Sequence, residues 1–521
     1  MKRIGTVLAL LGALAAAGEI LGLEPPTARW FFTASREVPW LHTAGDPGWP
    51  WFGWFSVAIL ITSGLTMIVR AWGGGHYNPV TEARWRRFRA IRRGYASLVI
   101  LILLGGVAAL DQTVVGKRAL AVHYDGKWIF PAFVARPYKN ADFGIGGDKA
   151  RAEVDYRALK SRLENAGTGR VIMPPVPFDP TGDTLPIGTR DLELRDGLYH
   201  ESGAVYPYSG MAATFHDGDA GRIQLRHTLR NGVFSGPVDG WNADGDRVYS
   251  GDWAFGRLVS DQYTGSGDKA GFLKWQGGLH ALKFHPSPPS PDTGNWLGTT
   301  SQGYDVLAYL YGGLQVNFKA SLIYLPIIYL IGITIGLLMG YFGGWFDLIV
   351  QRIIEVFSNM PFLFIVIIFS SMVPDRFKGL PVILTILVVF GWMGMTFLMR
   401  TAAYRDRERD YIAAVRVLGA STPRVIFRHL LPNTVAILVT LVPFTISGLI
   451  FSLTSLDYLG FGLPPEYATW GRLMQDGIAN LSAPWLVTST FVVLVGTLVL
   501  ITFVGEAVRE AFDPKKFTYY R

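Results

Sequence analysis

Apolar residues dominate this chain in blocks near 4–23, 51–70, 95–111, 318–340, 353–373, 380–399, 433–455 and 485–505. Each is long enough to cross the roughly 30 Å hydrocarbon layer of a bilayer as a helix, so the pattern predicts about eight transmembrane spans in an α-helical polytopic membrane protein. The first block follows Lys2 and Arg3, as a secretory leader would. Glu19 interrupts it, however, and no small-residue cleavage site precedes Pro25-Pro26, so a retained helix is expected. Arginines bracket the blocks. Arg84, Arg86, Arg87, Arg89, Arg92 and Arg93, opposed by Glu82, separate the second from the third; Arg405, Arg407, Arg409, Arg416, Arg424 and Arg428 separate the sixth from the seventh. Arginine-rich loops stay in the cytoplasm, which assigns both termini, with Lys515 and Lys516, to the inner side and the long stretch after residue 112 to the outside.

Between the third and fourth blocks the periodicity changes. A charged helical stretch from Lys149 to Ala166 and a Pro-rich run from Met173 to Pro180 precede residues 196–285, where aromatic residues alternate between Asp-Gly turns. Tyr208-Ser-Gly leads to Phe215-His-Asp-Gly-Asp219, and Phe234-Ser-Gly leads to Trp241-Asn-Ala-Asp-Gly-Asp246, a repeat of about 26 residues. Such segments read as β-hairpins and look similar to MORN hairpin repeats. The turn aspartates lack the acidic spacing and closing Glu of a calcium loop, and read as solvated. Four regions are therefore expected. Residues 1–75 form an accessory helical hairpin with an aromatic outer loop (Trp30-Phe31-Phe32, Trp40, Trp49); 76–111 form a basic cytoplasmic segment and first core helix; 112–300 form a mixed, largely β extracytoplasmic insert, hairpin-rich over 196–285; and 301–521 form the helical core.

Composition narrows the function. Half of the 521 residues are hydrophobic and 17% are charged, which suits a bilayer better than water. A net charge of +8 could attract nucleic acid, but the basic residues sit beside apolar spans, so membrane lipid is the expected surroundings and nucleic acid is not an expected partner. There is no cysteine for a disulfide, thiolate site or cysteine nucleophile. Gly116-Lys117-Arg118 lacks the glycine spacing and the Ser or Thr of a phosphate loop. Among nine histidines no Ser-His-Asp grouping or metal spacing stands out. No catalytic, cofactor or metal residues are assigned, and an enzyme is not expected.

The most distinctive stretch, within 404–432, carries Tyr411, then Ala413, Ala414 and Val415, then Gly419, Ala420 and Ser421, and finally Leu431-Pro432. A helix that seats in another protein's groove needs small residues for close approach, and a Gly permits a tight turn before a second helix, which Pro432 is expected to start. This pattern resembles the coupling motif of ABC importer permeases, although the first motif position, acidic in sugar permeases, is Ala413. Three more stretches resemble the peptide and nickel class. They are Asn295-Trp-Leu-Gly-Thr-Thr-Ser-Gln-Gly-Tyr304, departing at Thr300 and Tyr304; Gly340-Tyr-Phe-Gly-Gly-Trp-Phe-Asp347; and Leu456-Asp-Tyr-Leu-Gly-Phe-Gly-Leu-Pro-Pro465 with Trp470-Gly471. Within that class the chain is similar to permeases of Yej-type importers through Asn78-Pro-Val-Thr-Glu-Ala-Arg-Trp, Tyr124-Asp-Gly-Lys-Trp-Ile-Phe-Pro131 and the ending Gly505-Glu-Ala-Val-Arg-Glu-Ala-Phe-Asp-Pro514.

The resemblance implies a type I ABC importer core forming half of a heterodimeric channel in the bacterial inner membrane. Its implied partners are a cytoplasmic ABC ATPase, a second permease and an extracytoplasmic solute-binding protein; its implied substrates are oligopeptides or peptide-like compounds such as microcin C. Tyr411, Ala413, Ala414, Val415, Gly419, Ala420, Ser421, Leu431 and Pro432 would couple it to the ATPase. Residues of the substrate pathway are not assigned, and the N-terminal hairpin and the insert around 175–285 lie outside the resemblance. Within the spans, Pro326 and Pro443 permit bending, and Glu355 and Asp457 near span ends read as structural. The alternative is a membrane-anchored receptor or scaffold whose repeat ectodomain binds an envelope partner above a transport-inactive core. The departures at Ala413 and Tyr304 motivate it; Gly419 and Leu431-Pro432 argue against it.

Overall fold

The computed structural model describes residues 2–23, 51–72, 79–110, 112–134, 137–145, 150–182, 188–201, 207–216, 223–273, 278–283, 285–291, 294–374 and 377–512. The predicted aromatic loop around Trp30, Trp40 and Trp49, the motif start Asn78 and the tail with Lys515 and Lys516 lie outside these residues. By internal contacts the chain divides into two compact units, one of residues 1–183, 308–479 and 487–521, the other of residues 184–307 and 480–486.

The first unit opens with α1 (Lys2–Leu21) and α2 (Trp51–Trp72), which pack on each other with Ala15 and Val57 buried between them. Their outer faces show Val7, Leu10, Leu14, Phe55 and Ile59. Next come α3 (Pro79–Ala90) and α4 (Arg92–Ala109), broken at Ile91, whose ψ of 88° is not helical. A small sheet follows, of β1 (Ala121–Tyr124), β2 (Lys127–Ile129) and, after α5 (Tyr156–Ala166), β3 (Gly169–Ile172), in the order β2-β1-β3. The Asp155 carboxylate caps α5 by accepting the N–H groups of Arg157 at 3.0 Å and Ala158 at 3.3 Å. Val122, Phe143, Leu159, Leu163 and Val171 form this subdomain's core.

The second unit is a β-rich insert of nine strands. They are β4 (Gly188–Arg195), β5 (Leu198–Glu201), β6 (Gly210–Phe215), β7 (Ile223–Arg230), β8 (Val233–Phe234), β9 (Gly236–Trp241), β10 (Arg247–Ala254), β11 (Arg257–Tyr263) and, after α6 (Lys269–Leu273), β12 (His280–Lys283). All pair antiparallel in the order β11-β10-β9-β7-β6-β12-β4-β5, with β8 on β7. The described parts of the two repeat copies fall on β6 and on β8 and β9, with β7 between β6 and β9 in the sheet. Trp241-Asn-Ala-Asp-Gly-Asp246 turns β9 into β10, where the Asp246 N–H donates to Asn242 Oδ1 at 2.8 Å. Asp217-Gly-Asp219, between β6 and β7, lies outside the described residues. β12 returns from far along the chain to pair between β6 and β4, through Ala281 opposite Ala212 and Arg190.

His227 on β7 is 3% exposed, its ring 4.7 Å from that of Phe234. Burial disfavours the imidazolium and lowers its pKa from 6.5 to about 4. Above pH 6.5 the ring is neutral whether the domain is folded or not, so it contributes nothing to pH dependence. Between pH 6.5 and about 4 the unfolded chain takes up a proton that the folded one excludes, so stability falls as pH falls, by on the order of 3 kcal/mol in all. Pulse proteolysis of the full chain across this range, with fragments mapped to residues 184–307, is expected to show that loss, and a His227→Phe variant is expected to lack it.

The remaining helices return to the first unit. They are α7 (Val306–Phe342), α8 (Gly344–Ser358), α9 (Phe362–Met372), α10 (Leu380–Gly391), α11 (Met393–Arg407), α12 (Asp410–Val417), α13 (Thr422–Val425), α14 (Leu431–Tyr458), α15 (Trp470–Ala479) and α16 (Pro484–Phe512). Among the described residues five helical stretches are long and apolar enough to span a bilayer: Arg92–Ala109, Val306–Phe342, Leu380–Arg407, Thr422–Tyr458 and Pro484–Phe512. The apolar block at 353–373 is a broken pair instead. α8 and α9 meet at 82°, because Pro361 has no N–H to continue the helix and disfavours helical geometry in Met360 before it. α1 and α2 are shorter apolar helices, over Gly5–Leu21 and Gly53–Val69. α7 approaches α11 closely along Gly332, Gly336 and Gly340, where an added Cβ would come within 2.7 Å of Met395, 2.6 Å of Met399 and 2.4 Å of Ala403. Small residues at four-residue spacing let two membrane helices meet at backbone distance.

Candidate functional site

The segment after α11 is a helix, a turn and a second helix. α12 ends in a Schellman motif: the Gly419 N–H donates to Arg416 O at 2.9 Å and the Ala420 N–H to Val415 O at 3.2 Å. Gly419 takes φ +80°, the left-handed region where a Cβ is strained. Val415 and Ala420, partly buried, pack on a cluster of Leu337 from α7, Ala403 from α11 and Ile412, Val425, Ile426 and Leu430 from the segment itself. One face of the segment is thus pinned to the membrane helices. The opposite face is bare: Ala413 and Ala414 are exposed, and one turn on, Val417 and Leu418 are 87% and 85% exposed.

Of the residues singled out in the sequence, Ala413, Ala414, Gly419 and Ser421 are exposed, while Tyr411, Val415, Ala420 and Leu431 are half-buried on the anchoring side. Tyr411 Oη accepts the Asn433 amide at 2.8 Å. Pro432 lies in the first turn of α14, as expected, but the helical path starts earlier. The second helix begins at Thr422, with Ser421 before it and Pro423 in its first turn, and runs on into α14 through a π-turn over Ile426–Leu430. The Leu431 N–H accordingly reaches back five residues to Ile426 O. A widened turn is one way for a helix to accept a proline that has no N–H and crowds the carbonyl four residues earlier. Val417 and Leu418 were not singled out in the sequence, although two bulky apolar residues beside Gly419 in an arginine-rich loop were a visible sign.

Behind the segment lies a buried ionic cluster that links three helices. Asp347, in the first turn of α8, is 3% exposed. It accepts two hydrogen bonds from the Arg400 guanidinium, one through Nη2 at 2.7 Å, and a third from Tyr404 Oη at 2.6 Å. Arg407 donates to Gly340 O at the end of α7 at 3.1 Å, and its guanidinium lies 4.6 Å from the Tyr404 ring centroid. The reversal from α7 to α8 needs Gly343 and Gly344, at φ +62° and +60°. Asp406, 2% exposed, accepts from Arg405 at 3.0 Å and Arg409 at 3.1 Å on the doorstep of α12. From the exposed face of α12 to the bundle, the connection is therefore short, packed and charge-paired.

The other motif stretches brace the unit to which each belongs. In the second unit, Asn295 donates its amide to Asp305 at 2.8 Å, both residues being buried. The two departures, Thr300 and Tyr304, bond to each other: Thr300 N–H to Tyr304 O at 2.8 Å, and Tyr304 N–H to Thr300 Oγ1 at 3.0 Å. In the first unit, Asp457 is 3% exposed and accepts the Leu463 N–H at 2.7 Å, while Arg472 holds the carbonyls of Pro464 and Tyr467. Trp470 Nε1 donates to Leu310 O at 2.9 Å. Glu355 accepts from Gln351 at 3.2 Å and pairs with Arg352. Between α7, α9, α10, α11 and α14 opens a cavity of 460 Å³ whose lining includes Tyr324, Phe390, Phe444, Thr445 and Ser452. Pro443 of α14 is buried and Pro326 lies inside α7.

Residues 332–518 match the family described as binding-protein-dependent transport system inner membrane component. The inner membrane ABC transporter permease protein YejE of Escherichia coli (strain K12) is 34% identical over 439 residues, covering 84% of this chain and 98% of that protein. The peptidoglycan transport system permease protein YejE of Agrobacterium fabrum is 31% identical over 440 residues, covering 84% of this chain and 94% of the relative. The dipeptide transport system permease protein DppC of Bacillus subtilis is 33% identical over 231 residues, covering 44% and 70%. The family's members are transport channels rather than enzymes, and the bundle here is the type I importer fold carrying a β-rich insert. The chain belongs to the YejE-type permeases of ABC importers, as a multi-pass inner membrane subunit.

Proposed function

We propose that this permease forms half of a channel that takes up oligopeptides or peptide-like compounds, with a second permease as the other half. ATP is hydrolysed in a separate ATPase seated on the segment from Tyr411 to Gly419, and a solute-binding protein delivers substrate from outside. The observation that carries the docking assignment is the bare face of Ala413, Ala414, Val417 and Leu418, two small and two apolar residues on a helix whose other side is anchored. Exposed apolar surface of this kind marks a place for a partner. The relatives' names speak of dipeptide and peptidoglycan transport, which supports a peptide-like solute. The arginine-rich loops support cytoplasmic termini and an outer β-rich insert.

The region assignments 1–75, 76–111, 112–300 and 301–521 and the count of about eight spans belong to the same reading, with α1, α2 and the α8–α9 pair completing the five long helices. The successive Ser-Gly hairpins at β6–β7 and β9–β10 support MORN-like units. ATP-driven closure of the ATPase moves α12, and α11 carries the movement to α7 and α8, switching the channel between outward and inward access. Proteoliposomes holding the chain with its co-expressed ATPase, second permease and binding protein are expected to accumulate a labelled oligopeptide only with ATP. Equal accumulation without the ATPase would remove the importer assignment.

A further inference from the structure

We propose that α3 and the first turn of α4 form a binding surface for anionic phospholipid headgroups, with Arg86, Arg89 and Arg92 on the lipid phosphates and Trp85 as the interfacial anchor. Four arginines lie on the twelve-residue α3 and two more, Arg92 and Arg93, open α4, whereas Glu82 is the one acid from Pro79 to Tyr95. Glu82 pairs with Arg86 at 3.5 Å, with the Arg86 and Glu82 side chains mostly in the open at 82% and 64% exposure. Such a pair holds little charge back from a competing phosphate. The Arg89 guanidinium lies 5.2 Å from the Trp85 ring centroid and 5.9 Å from that of Tyr95, which orients the cation without neutralising it. Arg92 is exposed and pairs with no carboxylate among the described residues.

The helix is held in place rather than loosely tethered. Phe88, 4% exposed, packs against Val504, Ala507 and Ala511 of α16, and Arg84 lies 4.7 Å from the Phe512 ring centroid. The non-helical Ile91 separates α3 from the spanning helix α4, so its charges gather where the apolar span stops. That is headgroup depth, where exposed indole and phenol rings settle: Trp85 is 45% and Tyr95 36% exposed. A fixed cationic helix with amphipathic rings at this level complements lipid phosphate in both charge and depth.

The test is lipid retention by the purified full chain after nanodisc reconstitution in equal parts phosphatidylglycerol and phosphatidylcholine, read by native mass spectrometry. Wild type is expected to retain phosphatidylglycerol over phosphatidylcholine by about fivefold or more, and R86Q/R89Q/R92Q to lose most of that preference. R86K/R89K/R92K keeps the charge and is expected to keep the preference, which separates headgroup binding from a folding defect. Equal retention of both lipids by wild type, or an undiminished preference in the glutamine variant, overturns the proposal. Displacement of the lipid by inorganic phosphate alone would assign the surface to a soluble anion and overturn it as well.

Discussion

Gly419→Asp is expected to reduce the ATPase that co-purifies with this chain by more than tenfold while leaving the amount of membrane-inserted chain near normal. Two effects add. At φ +80° a side chain strains the backbone by roughly 1 kcal/mol, loosening the turn that fixes α12. The new carboxylate also stands beside Val417 and Leu418, where docking would strip its water without supplying a partner, at about 3 kcal/mol or more. Gly419→Ala separates the two, since it carries only the backbone strain and is expected to lose less than tenfold. Ala414→Trp carries no strain and is expected to abolish capture by bulk alone. Insertion tolerates these changes because Ala414 and Gly419 are exposed, outside the packed cluster of Ile412, Val425, Ile426 and Leu430. Normal ATPase recovery with Ala414→Trp would remove the docking face from Ala413, Ala414, Val417 and Leu418.

Asp347→Ala is expected to uncouple the transporter and to destabilise it. The Arg400 side chain keeps 22% of its surface exposed while its carboxylate partner keeps 4%. Opening such a pair leaves a mostly buried cation, at roughly 3 kcal/mol, the low end for buried pairs because some water reaches Arg400. Tyr404 loses its acceptor too, and the hold of α11 on α8 goes with it. With α11 free to move without α8, ATP hydrolysis in the assembled transporter is expected to continue while uptake per ATP falls about tenfold or more. Arg400→Lys keeps the charge but loses the two-pronged geometry, and is expected to fall between wild type and Asp347→Ala. A purely structural pair would lower hydrolysis and uptake together, with their ratio unchanged. That outcome would remove the transmission role.

The parts of this molecule that were legible in the sequence are those set by local pattern. Long apolar blocks located the helices, because a bilayer leaves the backbone no other partner. Asp-Gly turns between aromatic alternations located β9–β10. The helix-turn-helix from Asp410 was visible as small residues, a glycine and a second helix at fixed spacing. What escaped depends on distance along the chain. Asp347 and Arg400 are 53 residues apart and each looks like an ordinary charge near a span end. β12 finds its place between β4 and β6 through registers no local pattern encodes. The break at Pro361 lies inside a run of apolar residues, whose hydrophobicity masks the proline's signal. Pro432 marked the first turn of α14 but gave no sign of the helical lead-in from Thr422 through the π-turn at Ile426–Leu430.

The chain has no cysteine, so a single Leu418→Cys variant offers one attachment point for a short thiol-reactive photo-crosslinker in native membranes. Leu418, on the bare face of α12, is expected to yield a covalent adduct between this chain and an ABC ATPase, identified by mass spectrometry, and Val259→Cys in the β-rich insert is expected to yield none. An ATPase adduct from Val259→Cys, with none from Leu418→Cys, would contradict both the docking face and the orientation built on it.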